Sequence, residues 1–240
     1  MTRLLHRKIR ETPRVVRLMQ AENLIVVLHG SGDSGAGVRE WIRAVLPSFE
    51  TRLAALGATV CFPSAPRIPY TLAGGEQIPV WFDRVALHPS GAEDVAGVAA
   101  SCGQVSALIV EHRARFASAK VAVVGFSQGG CLALHCGSGV RAAADGVDAV
   151  VCISSFLPLD SAARAARAGG DPPLYMCHGS ADSMVPSAWG EETSQWLREQ
   201  QKRDVTWRLF DGVGHELTTD VVTAALEFVV ATLDLEPSIS

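Results

Sequence analysis

The chain has 240 residues, 48% of them apolar and 19% charged, which suits a folded core and excludes a disordered or low-complexity protein. The net charge of −4 hides an asymmetry: residues 1–20 hold six Arg or Lys against Glu11, a balance of +5, and the remainder is −9, with 15 bases against 24 acids. An acidic body excludes a nucleic-acid groove, and no apolar run approaches the roughly 20 residues that a membrane-spanning helix requires.

The basic start reads either as a solvated tail ending in a short edge strand at Val15-Val16-Arg17-Leu18 or as an organellar transit peptide. Residues 24–28, LIVVL, are a buried strand delivering the Gly-rich loop His29-Gly30-Ser31-Gly32-Asp33-Ser34-Gly35. Helical spacing follows through Trp41, Ile42, Val45 and Leu46, and again through Leu53, Ala54 and Leu56 up to Gly57. Residues 58–62 are a strand. The Pro- and Gly-rich stretch 63–90 carries no period and reads as a long surface loop, a feature that in compact domains is usually functional. Val95, Val98, Cys102, Val105, Leu108 and Ile109 then mark a helix within 91–117.

Residues 121–130, VAVVGFSQGG, run from a strand into G-x-S-x-G and a second helix through Cys131–Cys136. Such a nucleophile elbow turns so sharply that side chains two residues either side of the serine would collide with backbone. Further strands at 147–153, 173–177 and 205–210 end at Ser154-Ser155, at His178-Gly179-Ser180-Ala181-Asp182 and at Asp211-Gly212-Val213-Gly214-His215. Helices at 187–200 and through Val221–Val229 follow the last two. Strands alternating with helices predict an α/β fold, a mainly parallel central sheet with helices on both faces and no large cap domain. The expected organisation is a basic tail and short strand over 1–20 and a single domain over 21–235. Six cysteines without regular spacing read as reduced thiols, and hence as a cytoplasmic protein, the organellar reading of the tail being the alternative.

Ser127, Asp182 and His215 follow three strand ends in the order that the α/β-hydrolase fold uses for nucleophile, acid and base. A serine hydroxyl needs a base to take its proton as it attacks a carbonyl, imidazole titrates near neutrality, and a carboxylate fixes its tautomer. The backbone amides of Gln128 and Ser31 are the candidate oxyanion donors. His29 and His178 are rival bases, Asp211 and Asp33 rival acids. A metal reading of Cys131, His135 and Cys136 lacks a second cluster, so no metal, nucleotide or other cofactor is expected.

The blocks LHGSGDSG (28–35), PSAPRIPYTLAGG (63–75), VWFDR (80–84), GFSQGGC (125–131), CHGSAD (177–182) and GVGHEL (212–217) resemble the acyl-protein thioesterase and lysophospholipase family of small α/β-hydrolases over residues 24–230. The resemblance implies the same triad and the same oxyanion amides. It implies a serine hydrolase of carboxylic esters or thioesters, acting on a small-molecule or protein-linked acyl group. Long-chain thioesterases of the family carry leucine where this chain has Ser31, and a Met- and Leu-rich loop where it reads TLAGGEQIP (71–79). Leu72, Gly74, Gly75, Ile78 and Trp81 are the expected substrate contacts. Burial is worth ~0.8 kcal/mol per methylene, so a polar loop points to short acyl chains. A lysophospholipase of longer chains and a non-catalytic binding protein are the alternatives. The oligomeric state is not legible.

Overall fold

The protein was analysed as a computed structural model, which describes residues 23–138, 146–161, 163 and 171–236. The basic tail and the expected strand at Val15–Leu18 lie outside the described residues. The described chain runs β1 (Asn23–Leu28), α1 (Gly35–Val45), α2 (Phe49–Ala55), β2 (Ala58–Cys61), β3 (Arg67–Tyr70), a 3-10 turn (Thr71–Ala73), β4 (Glu76–Pro79), α3 (Val95–Arg115), β5 (Val121–Phe126), α4 (Gln128–Cys136), β6 (Ala149–Ile153), β7 (Leu174–Gly179), α5 (Ser187–Glu199), β8 (Val205–Phe210) and α6 (Thr219–Thr232).

Six strands form one parallel sheet in the order β2-β1-β5-β6-β7-β8. The apolar runs read from the sequence are these strands, and their alternate residues feed two cores. On β1, Ile25 and Val27 pack with Ile42 of α1, Leu53 of α2 and Val222 of α6. Leu24, Val26 and Leu28 face the other way, with Val105 of α3, Leu132 of α4 and Leu197 of α5. A strand buried on both faces reads as a continuous apolar run because neither face meets water. Helix starts follow side-chain caps: Ser34 accepts the Gly37 amide at 3.0 Å, Asp94 the Gly97 amide at 2.9 Å, and Thr218 the Val221 amide at 3.3 Å. At the other end of α4, the guanidinium of Arg203 donates to the Gly137 carbonyl and to the Ser138 hydroxyl, both at 3.1 Å.

One expectation is corrected. The stretch 63–90 is not a surface loop throughout. β3 and β4 pair antiparallel, with Ile68 opposite Ile78, and Val80, Trp81 and Phe82 behind them are buried. Each strand has four residues and one proline, too short and too irregular to show a period of two. By length and composition alone α3, with 21 residues and an 18-residue window of mean hydropathy 1.2, would be long and apolar enough to span a membrane, but its Val98, Val105 and Ile109 are packed into the core. Its length comes from Ala, Gly, Ser and Cys between the core residues Val98, Val105 and Ile109, so no single apolar block stands out.

Candidate active site

β5 ends in a strained turn. Ser127 has φ 54° and ψ −121°, a conformation costing about 1–3 kcal/mol for a residue with a side chain, and one that persists only where the surroundings impose it. Two glycines make room. A Cβ on Gly125 would lie 2.0 Å from the Gly129 carbonyl oxygen, and a Cβ on Gly129 would lie 2.4 Å from that of Leu28. The Ser127 amide donates to the Ile153 carbonyl of β6 at 2.9 Å. The side chain is thereby held at the carboxyl edge of the sheet, where open α/β sheets present their sites.

Asp182 and His215 meet because their loops are zipped together. Ser180 donates through its amide to the Phe210 carbonyl at 2.8 Å, and Ala181 to that of Val213 at 2.9 Å. The Ser180 hydroxyl donates to Asp211 at 3.0 Å and accepts the Gly212 amide at 2.8 Å. His215 Nδ1 then lies 2.7 Å from Asp182 Oδ2, and its Nε2 lies 3.0 Å from Ser127 Oγ. With the Nδ1 proton donated to the carboxylate, Nε2 is left to accept from the serine. Phe126 tilts against the imidazole at 4.8 Å between centroids and is itself braced edge-on by Trp41 at 5.3 Å.

The Asp182 carboxylate is buried, and backbone fixes it. Its Oδ1 accepts the amides of Met184 at 3.0 Å and Val185 at 2.8 Å. His178, a rival base, braces the acid instead. Its Nε2 donates to the Val185 carbonyl at 2.8 Å and lies 3.3 Å from Asp182 Oδ2. Burial lowers its pKa, which keeps the ring neutral beside the carboxylate. The i, i+4 spacing of His178 and Asp182 across one strand end was the signal available in the sequence.

The rivals His29 and Asp211 are used elsewhere. His29 is fully buried, accepts the Ala65 amide at Nε2 (3.0 Å) and donates from Nδ1 to the Gly30 carbonyl (2.6 Å); burial lowers its pKa. Asp211 accepts from Ser180. His135 meets Glu93 at 2.8 Å rather than a metal-ligand cluster, and no such cluster occurs among the described residues.

One candidate oxyanion amide, that of Gln128, lies at the elbow. Gln128 opens α4, so its N–H is one of the free donors of a helix start. Its side chain is a clamp: Oε1 accepts the Trp81 amide at 2.9 Å and Nε2 donates to the Phe82 carbonyl at 2.8 Å. The loop bearing Ser31 packs against the nucleophile, since a Cβ on Gly30 would lie 3.3 Å from Ser127 Cβ. The Gly32 amide is spent on the Pro79 carbonyl at 2.8 Å, tying this loop to the end of β4.

The expected substrate contacts divide. Leu72, 43% exposed, and the left-handed Gly74 and Gly75 form the open tip of the β3–β4 hairpin, with Ile78 half-buried beside them. Trp81 does not join them. At 1% exposure it lies under the loop, donating from Nε1 to the His29 carbonyl at 2.8 Å, so it supports the site from below.

Comparison with known proteins agrees with this frame. The model of the Phospholipase/Carboxylesterase family matches residues 13–233. Lysophospholipase-like protein 1 of Mus musculus is 36% identical over 197 residues, covering 80% of each chain. Acyl-protein thioesterase 1 of Candida albicans is 26% identical over 217 residues, 87% of this chain and 91% of that one. The crystal structure of Zea mays acyl-protein thioesterase 2 superposes with a TM-score of 0.72 at 25% identity, covering 88% and 94% of the two chains.

Proposed function

The chain belongs to the phospholipase/carboxylesterase family, and on that premise we propose that it is a serine hydrolase that cleaves carboxylic esters or thioesters through an acyl-enzyme. Membership makes it a hydrolase of such bonds in the general sense. The observation that carries the serine mechanism is His215 standing between Ser127 Oγ at 3.0 Å and Asp182 at 2.7 Å. In this reading His215 takes the serine proton as Oγ attacks the acyl carbonyl and returns it to the departing alcohol or thiol. A water then repeats the cycle and frees the acid. The oxyanion would lie between the Gln128 and Ser31 amides, each such donor being worth about 2.7–4 kcal/mol of barrier. One hydrolase domain over 21–235 would carry the whole site. The six free cysteines support a reducing compartment and so the cytoplasmic reading.

Short acyl chains fit the hairpin better than long ones. Its tip offers Leu72 but also Gly74, Gly75, Glu76 and Gln77, all exposed to water and none with a long apolar wall. Each further methylene would gain little of the ~0.8 kcal/mol that full burial gives. A kcat/KM series on p-nitrophenyl esters, paired with matched thioesters, is expected to peak at short acids. A steady rise to long chains would favour the lysophospholipase alternative. Loss of all turnover in Ser127→Ala is expected in either case.

A further inference from the structure

Arg84 ends the VWFDR block, and its side chain folds inward until the residue is only 6% exposed. The guanidinium lies over two rings, 5.3 Å from the centroid of Phe82 and 4.9 Å from that of Phe156. Among the described residues no carboxylate pairs with it, and its buried Nε has no hydrogen-bond partner. The acids beside it in the chain and along its backbone bridge are committed elsewhere. Asp83 accepts the Thr71 amide at 2.8 Å, the Thr71 hydroxyl at 2.5 Å and the main-chain amide of Arg84 at 2.8 Å. Glu93 bridges to Arg84 through main chain only, and its carboxylate meets His135 at 2.8 Å. Asp94 caps α3 and accepts the Asp83 amide at 3.0 Å.

A guanidinium cannot shed its proton, and aromatic faces attract a cation without neutralising it. A buried cation with no anion is the costly half of an ion pair, so an arriving carboxylate would find a partner already stripped of water. The position is next to the chemistry. The Phe82 carbonyl accepts from the side chain of Gln128, the residue after Ser127. Phe156 stands three residues beyond Ile153, whose carbonyl holds the Ser127 amide. Burial raises the pKa of the Tyr70 phenol, and the charge of Arg84 opposes that rise. The two segments that hold Arg84, at Phe82 and Phe156, thus also lead to the nucleophile. The general field is no help to an anion, since residues 21–240 sum to −9, so any preference for one must be local.

We propose that Arg84 is an anion-binding subsite of the active-site groove, and that the substrate carries a carboxylate close to its ester or thioester bond. This rests on the ester-hydrolase reading given above. The carboxylate could belong to the acyl group or to the leaving group, and two arms separate these. In the first, p-nitrophenyl hydrogen glutarate is compared with p-nitrophenyl pentanoate. In the second, 4-acetoxybutanoate is compared with pentyl acetate. The wild type is expected to favour the anionic member of at least one pair by about 10–100-fold in kcat/KM, the range of a charge-assisted hydrogen bond. Arg84→Met is expected to bring that ratio to about one, and Arg84→Lys to retain part of it, as a point charge without the planar fork. Calorimetric titration of Ser127→Ala with monomethyl glutarate reads the subsite without turnover. Binding there, absent in the Ser127→Ala/Arg84→Met double variant, would sustain the subsite even if no ester were hydrolysed, and the hydrolase reading would then be the one to fall. If Arg84→Met does not fold, the wild-type ratios and the Ser127→Ala titration decide. Ratios near one in both arms with no glutarate binding, or a ratio that survives Arg84→Met, overturn the proposal.

Discussion

Asp182→Asn exchanges one oxygen for an amide and changes almost nothing else in the site. The carboxylate is buried and uses its two oxygens differently. Oδ1 accepts the Met184 and Val185 amides at 3.0 and 2.8 Å, and Oδ2 faces His215 Nδ1 at 2.7 Å. An asparagine that keeps the two backbone bonds must present its NH₂ to His215. Two donors then oppose each other, and the imidazole responds by moving its proton to Nε2. That nitrogen is 3.0 Å from Ser127 Oγ, where a vacant lone pair is needed. The wrong tautomer in an otherwise intact triad costs about 10⁴-fold in kcat, equivalent to ~5.4 kcal/mol of barrier. Asp182 is closed off from substrate, so KM should stay within about two-fold. The assay is kcat and KM on p-nitrophenyl acetate at pH 7.5, with a thermal melt to establish the fold. A kcat within about ten-fold of wild type would refute the reasoning, because His215 would not then depend on Asp182 for its orientation.

Two further outcomes concern the support of the site. Gln128→Leu strips the Trp81 amide and the Phe82 carbonyl of their buried partners, at about 1–3 kcal/mol each. At about 2–4 °C per kcal/mol for a chain of this size, calorimetry should read a fall in Tm of at least 4 °C, and an unchanged Tm would show that water replaces the clamp. Stability should also decline at both ends of the pH scale. His29 and His178 have pKa values lowered by burial, so their contribution is full above the unfolded value of 6.5 and is lost as pH falls below it. His135 runs the other way. Burial would lower its pKa, but Cys131 and Glu93 outweigh it and raise it to about 10, so its contribution is full below 6.5 and is lost as pH rises through about 10. Melts from pH 5 to 10.5 should show both shoulders, the alkaline one missing in His135→Asn; a flat profile would contradict both assignments.

The strands and the order Ser127, Asp182, His215 were legible because each strand is buried on both faces and each ends at glycine and polar residues. Local sequence carries that much. It does not carry what depends on partners distant in the chain. The β3–β4 hairpin is invisible because its stability lies in the pairing of Ile68 with Ile78 and in a link from Pro79 to Gly32, not in any repeat within eight residues. Trp81 read as a groove residue because an aromatic in a Pro-rich stretch is ambiguous until its indole N–H is seen bonded to His29. The roles of His178 and Arg84 were missed for opposite reasons. The first depends on a contact across a turn, and the second on the absence of a carboxylate partner among the described residues, which no sequence displays.

The claim on which the rest stands is that Ser127 attacks the acyl carbon. Treatment with a fluorophosphonate at pH 7.5, followed by peptide mass spectrometry, tests it directly, since only a serine with a working base reacts. The expected result is a single adduct on the peptide containing Ser127, lost in Ser127→Ala and strongly slowed in His215→Ala. An enzyme that hydrolyses esters while Ser127 remains unlabelled, or that is labelled at another residue, would contradict the account.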